Sequence, residues 1–368
     1  MAEVIVATGH ILALKLFDIA NAIDLKRAEQ LWSTHAAGRA SRARLTGTPP
    51  KAVAFGEPPL GILLAPITLD LCAERVEAAV TARLYEFGAA SIALRVPVSG
   101  RSWPDYVAFF NALDTAAAAA PWDRILAQLT GVVAAALERP EESGLQEDYL
   151  IGVVQSFADA STSAADLLAA VDLVPLLSGE QRPLSEAARA DLLRQRFSYY
   201  ADDLVVLTWD RAFIYEPRDD SDVADVLEVA NAQLLEMRYY DELLDDELPR
   251  MYDLVAETRR GLNVLGARRY AGLARRLYTL VAEVTELTEK IDNALQVTED
   301  VYLARVYAAA LDLFRVPTVS AAVDKKLSII RDTYTALYDE ASSSRSELME
   351  AAILLLILVE IVLALVGH

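Results

Sequence analysis

The chain has 368 residues, is 54% hydrophobic and 24% charged, and carries a formal net charge of −20. It is long enough for two domains and apolar enough to bury a full core, which excludes a disordered chain. Its negative surface repels nucleic-acid phosphates, which excludes DNA as a partner and disfavours RNA.

A lone cysteine, Cys72, permits no internal disulfide and fits a reducing compartment. The opening MAEVIVATGH lacks the basic and long apolar regions of an export signal and the Arg and Ser of a transit peptide. The first predicted strand covers His10 to Asp18, followed by a helix through Leu25, Ala28 and Leu31. A further strand is expected at Leu60 to Leu69. Ala90 to Val98 reads as strand before a helix from Trp103 to Leu113, and Tyr149 to Phe157 as strand before a helix from Ala164 to Leu177. Leu204 to Tyr215 completes the series ahead of a helix from Val223 to Leu248. Four alternations of this kind predict an α+β fold with ferredoxin-like βαβ units over residues 1–217. Gly47 to Pro59 and Arg139 to Gln146 read as loops, and 139–146 is the candidate internal boundary.

After Pro217 the period changes. Asp219, Asp220 and Ser221 can cap a helix whose apolar stripe is Val226, Ala230, Leu234, Met237 and Leu244. A second long helix is expected from Arg268 to Phe314, ended by Pro317, with Thr318 capping the next. That last helix keeps a heptad seam through Val323, Leu327, Ile330, Tyr334, Leu337, Ala341, Ser344 and Leu348. The two helices, joined at Val316 to Thr318, predict an antiparallel coiled-coil stalk over 218–347.

Residues 348–368 read as a transmembrane tail anchor. Twelve of the sixteen residues from Ala351 to Val366 are Leu, Ile or Val, and Glu360 is the one charge. The aliphatic residues contribute roughly −4 to −7 kcal/mol toward insertion against about +3 for a central carboxylate. From Met349 to Gly367 a helix reaches about 28 Å, close to the hydrocarbon thickness of about 30 Å. Lys325, Lys326, Arg331 and Arg345 flank the body side, so the body is expected in the cytoplasm. Glu360, deep in the span, is expected to meet a partner helix.

Chemistry-bearing motifs are sparse: no phosphate loop, dinucleotide fingerprint, nucleophile elbow or His-Glu-x-x-His is present, and no cofactor is expected. His10 in its apolar strand reads as a structural residue. Asp219, Asp220, Asp222 and Asp225 could offer oxygen ligands to Mg²⁺ or Ca²⁺, but lack the ligand spacing and turn glycine of a calcium loop, so capping is favoured. The pairs Arg259/Arg260, Arg268/Arg269 and Arg275/Arg276 could contact phosphate or a ribosome, or pair with the preceding acidic helix; the overall charge favours pairing.

The stretch from Tyr302 to Val366, with its VDKKL segment at Val323 to Leu327, heptad helix and acidic residues Glu350 and Glu360, resembles the end of the family named for "required for meiotic nuclear division". Asp225 to Arg238 resembles that family's small-residue helix at Asn231, Ala232 and Arg238, and departs from it at Ala230, Leu234, Glu236, Tyr239 and Tyr240. The resemblance implies membrane anchoring, self-association and a supporting role. With no transit peptide, it implies a prokaryotic member in the plasma membrane.

The expected function is therefore a tail-anchored, homo-oligomeric scaffold or tether without catalytic activity, whose head meets a protein partner. Association would use Leu327, Ile330, Tyr334, Leu337, Glu350 and Glu360, with Asn231, Arg238, Arg268, Arg269, Arg275 and Arg276 as partner contacts. The alternative is a membrane-bound enzyme or an RNA- or ribosome-associated factor acting on phosphate-containing ligands.

Overall fold

The computed structural model describes residues 4–35, 40–42, 53–54, 58–140, 144–158, 163–218, 222–259, 296–297 and 301–333. It also describes 272, 275, 278–279, 281–282, 284–285, 335–336, 353–354 and 356–357. The elements in chain order are β1 (Ile5–Asp18), β2 (Ala20–Ile23), α1 (Leu25–His35), β3 (Ala40–Arg42), β4 (Val53–Ala54), β5 (Leu60–Leu71), β6 (Glu74–Leu84) and β7 (Ala89–Ser102). There follow α2 (Trp103–Ala118), α3 (Trp122–Val133), β8 (Leu137–Pro140), β9 (Gln146–Phe157), α4 (Ala164–Ala170), α5 (Val174–Ser178) and α6 (Glu186–Leu192). The remainder are β10 (Arg196–Phe197), β11 (Leu204–Leu207), β12 (Arg211–Tyr215), α7 (Val223–Arg259), β13 (Gln296–Val297), α8 (Val301–Leu313) and α9 (Val316–Thr333).

The architecture is α+β. One nine-stranded sheet runs in the order β10-β11-β12-β9-β1-β7-β6-β5-β3. Its neighbours pair antiparallel except β9 and β12, so the expected βαβ alternation gives parallel pairing at that one place. β1 lies at the centre and pairs along nearly its whole length with β7 and β9. Alternation sends Ile11, Ala13 and Phe17 to one face and Leu14 and Leu16 to the other, and all five are buried. Burial on both faces is why the strand reads as an almost unbroken apolar run.

The first face is covered by α2. Ser102 caps that helix by accepting from the Asp105 N–H at 3.3 Å, and Pro104 occupies its first turn. Trp103, Tyr106, Phe109, Phe110 and Leu113 recur at helical spacing and are buried, each such burial contributing about 2–3 kcal/mol. Trp103 meets the Phe213 ring edge-on at 5.6 Å. Opposite α2, a Cβ on Gly152 would lie 2.7 Å from the Tyr106 hydroxyl, so glycine is what lets helix and strand approach.

The chain forms two compact units, one of Met1–Tyr239 with Lys290–Pro317 and one of Tyr240–Glu289 with Thr318–His368. In the first, the second sheet face receives α7 and the end of α8. Arg83 of β6 and Tyr85 just after it bond to α7, and Tyr149 of β9 packs edge-on against Phe314 at 5.2 Å. In the second, Tyr240, Leu244, Met251, Val284, Val323 and Ile330 are buried. There Lys326 Nζ donates to the Asp241 carboxylate at 2.6 Å and lies 2.7 Å from that of Asp245. Burial alone would lower the lysine's pKa; the two carboxylates more than offset this and hold it above the ordinary value.

Several elements differ from expectation for local reasons. The helix expected over Ala164 to Leu177 breaks into α4 and α5, because Pro175 has no N–H to continue the ladder and the Asp172 carboxylate caps Val174. Leu204 to Tyr215 is a hairpin, β11 and β12, rather than one strand. α7 runs through Pro249 to Arg259, with Leu244 and Met251 buried on either side of the proline. The helix expected from Arg268 to Phe314 is interrupted at Gln296–Val297, which pairs with Val53–Ala54. The turn ending α8 is at Phe314 and Arg315, the latter at φ 60°, and Pro317 sits inside the first turn of α9 instead of ending a helix.

Candidate functional site

Three constellations in the first unit bring together side chains with chemical capacity. The first lies where α7 crosses the sheet. Arg83 Nη1 is 2.6 Å from both the Asp225 and Glu228 carboxylates, and the Tyr85 hydroxyl donates to the second Glu228 oxygen at 2.9 Å. Glu228 is 5% exposed and Tyr85 1%, so the network sits in low dielectric. Burial alone would lower the Arg83 pKa, yet the two carboxylates raise it, while burial and the adjacent carboxylate push the Tyr85 phenol up. Further along, Arg238 donates to Glu147 of β9, and Tyr307 of α8 donates to Gln233 at 2.6 Å. The arrangement fastens a helix to a sheet; its charges are consumed internally.

The second lies at the turn between β11 and β12. Arg211 donates to Asn111 at 2.7 Å, Asp114 at 2.6 Å and the Leu176 carbonyl at 3.0 Å. The turn is closed by Thr208, whose hydroxyl donates toward Asp210 and the Arg211 carbonyl, and Tyr149 donates to the same backbone. Trp209, at the tip, is 72% exposed.

The third is a cavity of about 1010 Å³ between α1, α3 and the middle of β5. A register shift between Leu64 and Ile67 carries Ala65 and Pro66 out of the β5 ladder. One wall is thus Leu63, Leu64, Pro66 and Ile67, and the other includes Trp32, His35, Arg124, Gln128 and Gly131.

Of the residues singled out from the sequence, Asp222 is buried and Asp225 is committed to Arg83. Among the described residues no group of three or more His, Cys, Asp or Glu is placed to hold a metal. His10 is buried, with both ring nitrogens about 3 Å from Arg95 Nη2. Asn231 is buried, and its amide donates to the Leu227 carbonyl on its own helix. Arg238 pairs with Glu147, Arg275 is exposed, Leu327 is half-buried and Ile330 buried. Asp219, Asp220, Arg268, Arg269, Arg276, Tyr334, Leu337, Glu350 and Glu360 lie outside the described residues. The sequence reading missed Arg83, Arg211 and the cavity; the arginine that opens the apolar run Arg211–Tyr215 was a signal for the second, whereas Arg83 lies in an Ala- and Glu-containing stretch that does not read as a strand.

No solved structure matches the chain. The uncharacterized protein MJ0711 of Methanocaldococcus jannaschii is 28% identical over 194 residues, covering 52% of this chain and 58% of that protein. A family model described as uncharacterized protein MJ0711, N-terminal domain, matches residues 8–222, from within β1 to the start of α7. This overturns the resemblance to the meiotic-nuclear-division family, which rested on residues after Leu204. A heptad helix leading into an aliphatic run is a pattern that unrelated chains share, because it encodes amphipathicity and hydropathy rather than one fold. By the match over residues 8–222, the chain belongs to the family of the MJ0711 N-terminal domain.

Proposed function

We propose that this protein is a non-catalytic tether. Its α+β unit is held at a lipid bilayer by a helix over residues 349–366, with the second unit as helical spacer and copies associating through the membrane segment at Glu360. The observation that carries this reading is the state of Ile353, Leu354, Leu356 and Ile357. All four are helical, and they are 53%, 67%, 64% and 47% exposed. Aliphatic side chains grouped this way on a helix leave apolar area in water at about 25 cal/mol per Å², a cost that lipid removes.

Among the described residues no single helix is long and apolar enough to cross a membrane. The bent pair α8 and α9 passes by length and composition together. The apolar residues Leu303, Val306 and Ala310 of α8 are buried within the first unit, however, which favours a core role for it. Asp225 and Glu228 are engaged with Arg83, which ties those two carboxylates to holding α7 on the sheet.

The test is flotation of the full chain with phospholipid vesicles, with Leu354→Arg/Leu358→Arg as the control. Each arginine near mid-span opposes insertion by about 2.5–3.5 kcal/mol. Wild type is expected to float and to resist alkaline extraction, while the double variant stays at the bottom of the gradient. Equal flotation of both, or of neither, would refute the tether.

A further inference from the structure

We propose that the cavity between α1, α3 and β5 is a binding site for a single-tailed amphipathic anion, an alkyl chain ending in a carboxylate or similar acid. This goes beyond the tether and does not depend on it. The volume of about 1010 Å³ is at the upper end of the roughly 300–1,000 Å³ typical of small-molecule sites. Four features point to this class of ligand.

The charge of the lining is inverted relative to the chain. With 54 acidic and 34 basic residues overall, the cavity's lining among the described residues includes Arg124 and His35 and no Asp or Glu. Among the described residues neither Arg124 nor His35 has a hydrogen-bond or ion-pair partner. An anionic head would be drawn to this spot against the field of the rest of the surface.

The second feature is Trp32. It lines the cavity and is 7% exposed, with its indole N–H buried and out of reach of the cavity space. Its ring offers an aromatic apolar face beside the charged residues, suited to an alkyl chain.

Third, Arg124, Gln128 and Gly131 are spaced four and three apart on α3, so they share one face. Along that face the lining passes from charge through amide to bare backbone, while the opposite wall of Leu63, Leu64, Pro66 and Ile67 is aliphatic. Polarity graded along one helix matches a molecule with a polar end and a long apolar one.

Finally, Gly131 lies inside a helix, where glycine is unfavourable, yet a Cβ there would meet nothing within 4 Å. Packing does not demand glycine here. A large side chain at 131 would take up space in the cavity that Gly131 lines.

The experiment uses the full chain in amphipol, titrated with the fluorescent acid dansyl-undecanoate and, separately, with its methyl ester. The acid should bind saturably at one site and the ester about three- to tenfold more weakly, as expected for a partly exposed ion pair. Arg124→Glu should weaken the acid about tenfold and leave the ester unchanged. Gly131→Phe should abolish binding of both without lowering the unfolding midpoint, since the added ring enters open space. The proposal is overturned by the absence of saturable binding, by ester binding as tight as acid, or by undiminished binding to a folded Gly131→Phe variant. Preferential displacement of the probe by a zwitterionic lysophospholipid would overturn the anion assignment, whereas displacement by an alkyl phosphate supports it.

Discussion

Replacing Glu228 tests whether the buried pairing between α7 and β6 holds the helix to the sheet. In Glu228→Ala the Tyr85 hydroxyl, buried and 2.9 Å from the lost oxygen, loses that acceptor. Losing a buried hydrogen bond to a carboxylate costs about 1–3 kcal/mol. Arg83 loses one of its two carboxylates but keeps Asp225 at 2.6 Å, so the full penalty of about 3–5 kcal/mol for an uncompensated buried charge does not apply. The expected destabilisation is therefore about 2–4 kcal/mol. Glu228→Gln, whose amide oxygen can still accept from Tyr85, should lose about half as much. Arg83→Met, which strands two carboxylates, should lose about 3–5 kcal/mol, and Arg83→Met/Glu228→Leu/Tyr85→Phe should recover most of it by removing every buried polar partner together. Urea unfolding followed by tryptophan fluorescence suits the measurement, because Trp32, Trp103, Trp122 and Trp209 all belong to the first unit. A loss below about 0.5 kcal/mol, the size of an ordinary surface substitution, in Glu228→Ala would refute the reasoning.

Ala73→Gly should stabilise the chain by about 1 kcal/mol in the same assay, because Cys72 and Ala73 turn the β5–β6 hairpin at φ 49° and 66°, where a side chain is strained. Arg211→Met should cost about 2–3 kcal/mol by leaving Asn111 and the Leu176 carbonyl without their donor; a neutral result would mean that the β11–β12 turn is held otherwise. Glu147 and Asp210 both have pKa values raised mainly by burial, opposed by Arg238 for the first and by Thr208 and Arg211 for the second. Their folded forms hold protons more tightly than the unfolded chain does. They should therefore lower stability as pH rises from the ordinary carboxylate value of about 4 through their raised values, and Glu147→Gln should flatten that dependence in a pH series of urea midpoints.

β1 was legible as an apolar run of strand length, buried on both faces, and α2 by its helical period. Ile11, Ala13 and Phe17 alternate with Leu14 and Leu16, and Trp103, Tyr106, Phe110 and Leu113 recur every three or four residues. β6 was not legible: Glu74 to Leu84 is rich in Ala and Glu, which suit a helix, and its hairpin turns on Cys-Ala instead of a glycine or asparagine. The turn at Thr208 to Asp210 similarly lacks Gly or Pro, so two strands read as one. Gln296–Val297 leaves a helical pattern only because it pairs with Val53–Ala54 more than 200 residues earlier, a tertiary effect with no local trace. The cavity is assembled from three separate segments, and none of them reveals it alone. Gly131 was its one local sign, a glycine within a helical pattern.

Depth-dependent quenching tests the tether most directly. Leu358→Cys in a Cys72→Ser background, labelled with an environment-sensitive fluorophore and reconstituted in vesicles, should be quenched most strongly by lipids brominated near the ends of their acyl chains and hardly at all by aqueous iodide. Strong iodide quenching with no response to brominated lipid would place residue 358 in water and contradict the membrane-held reading.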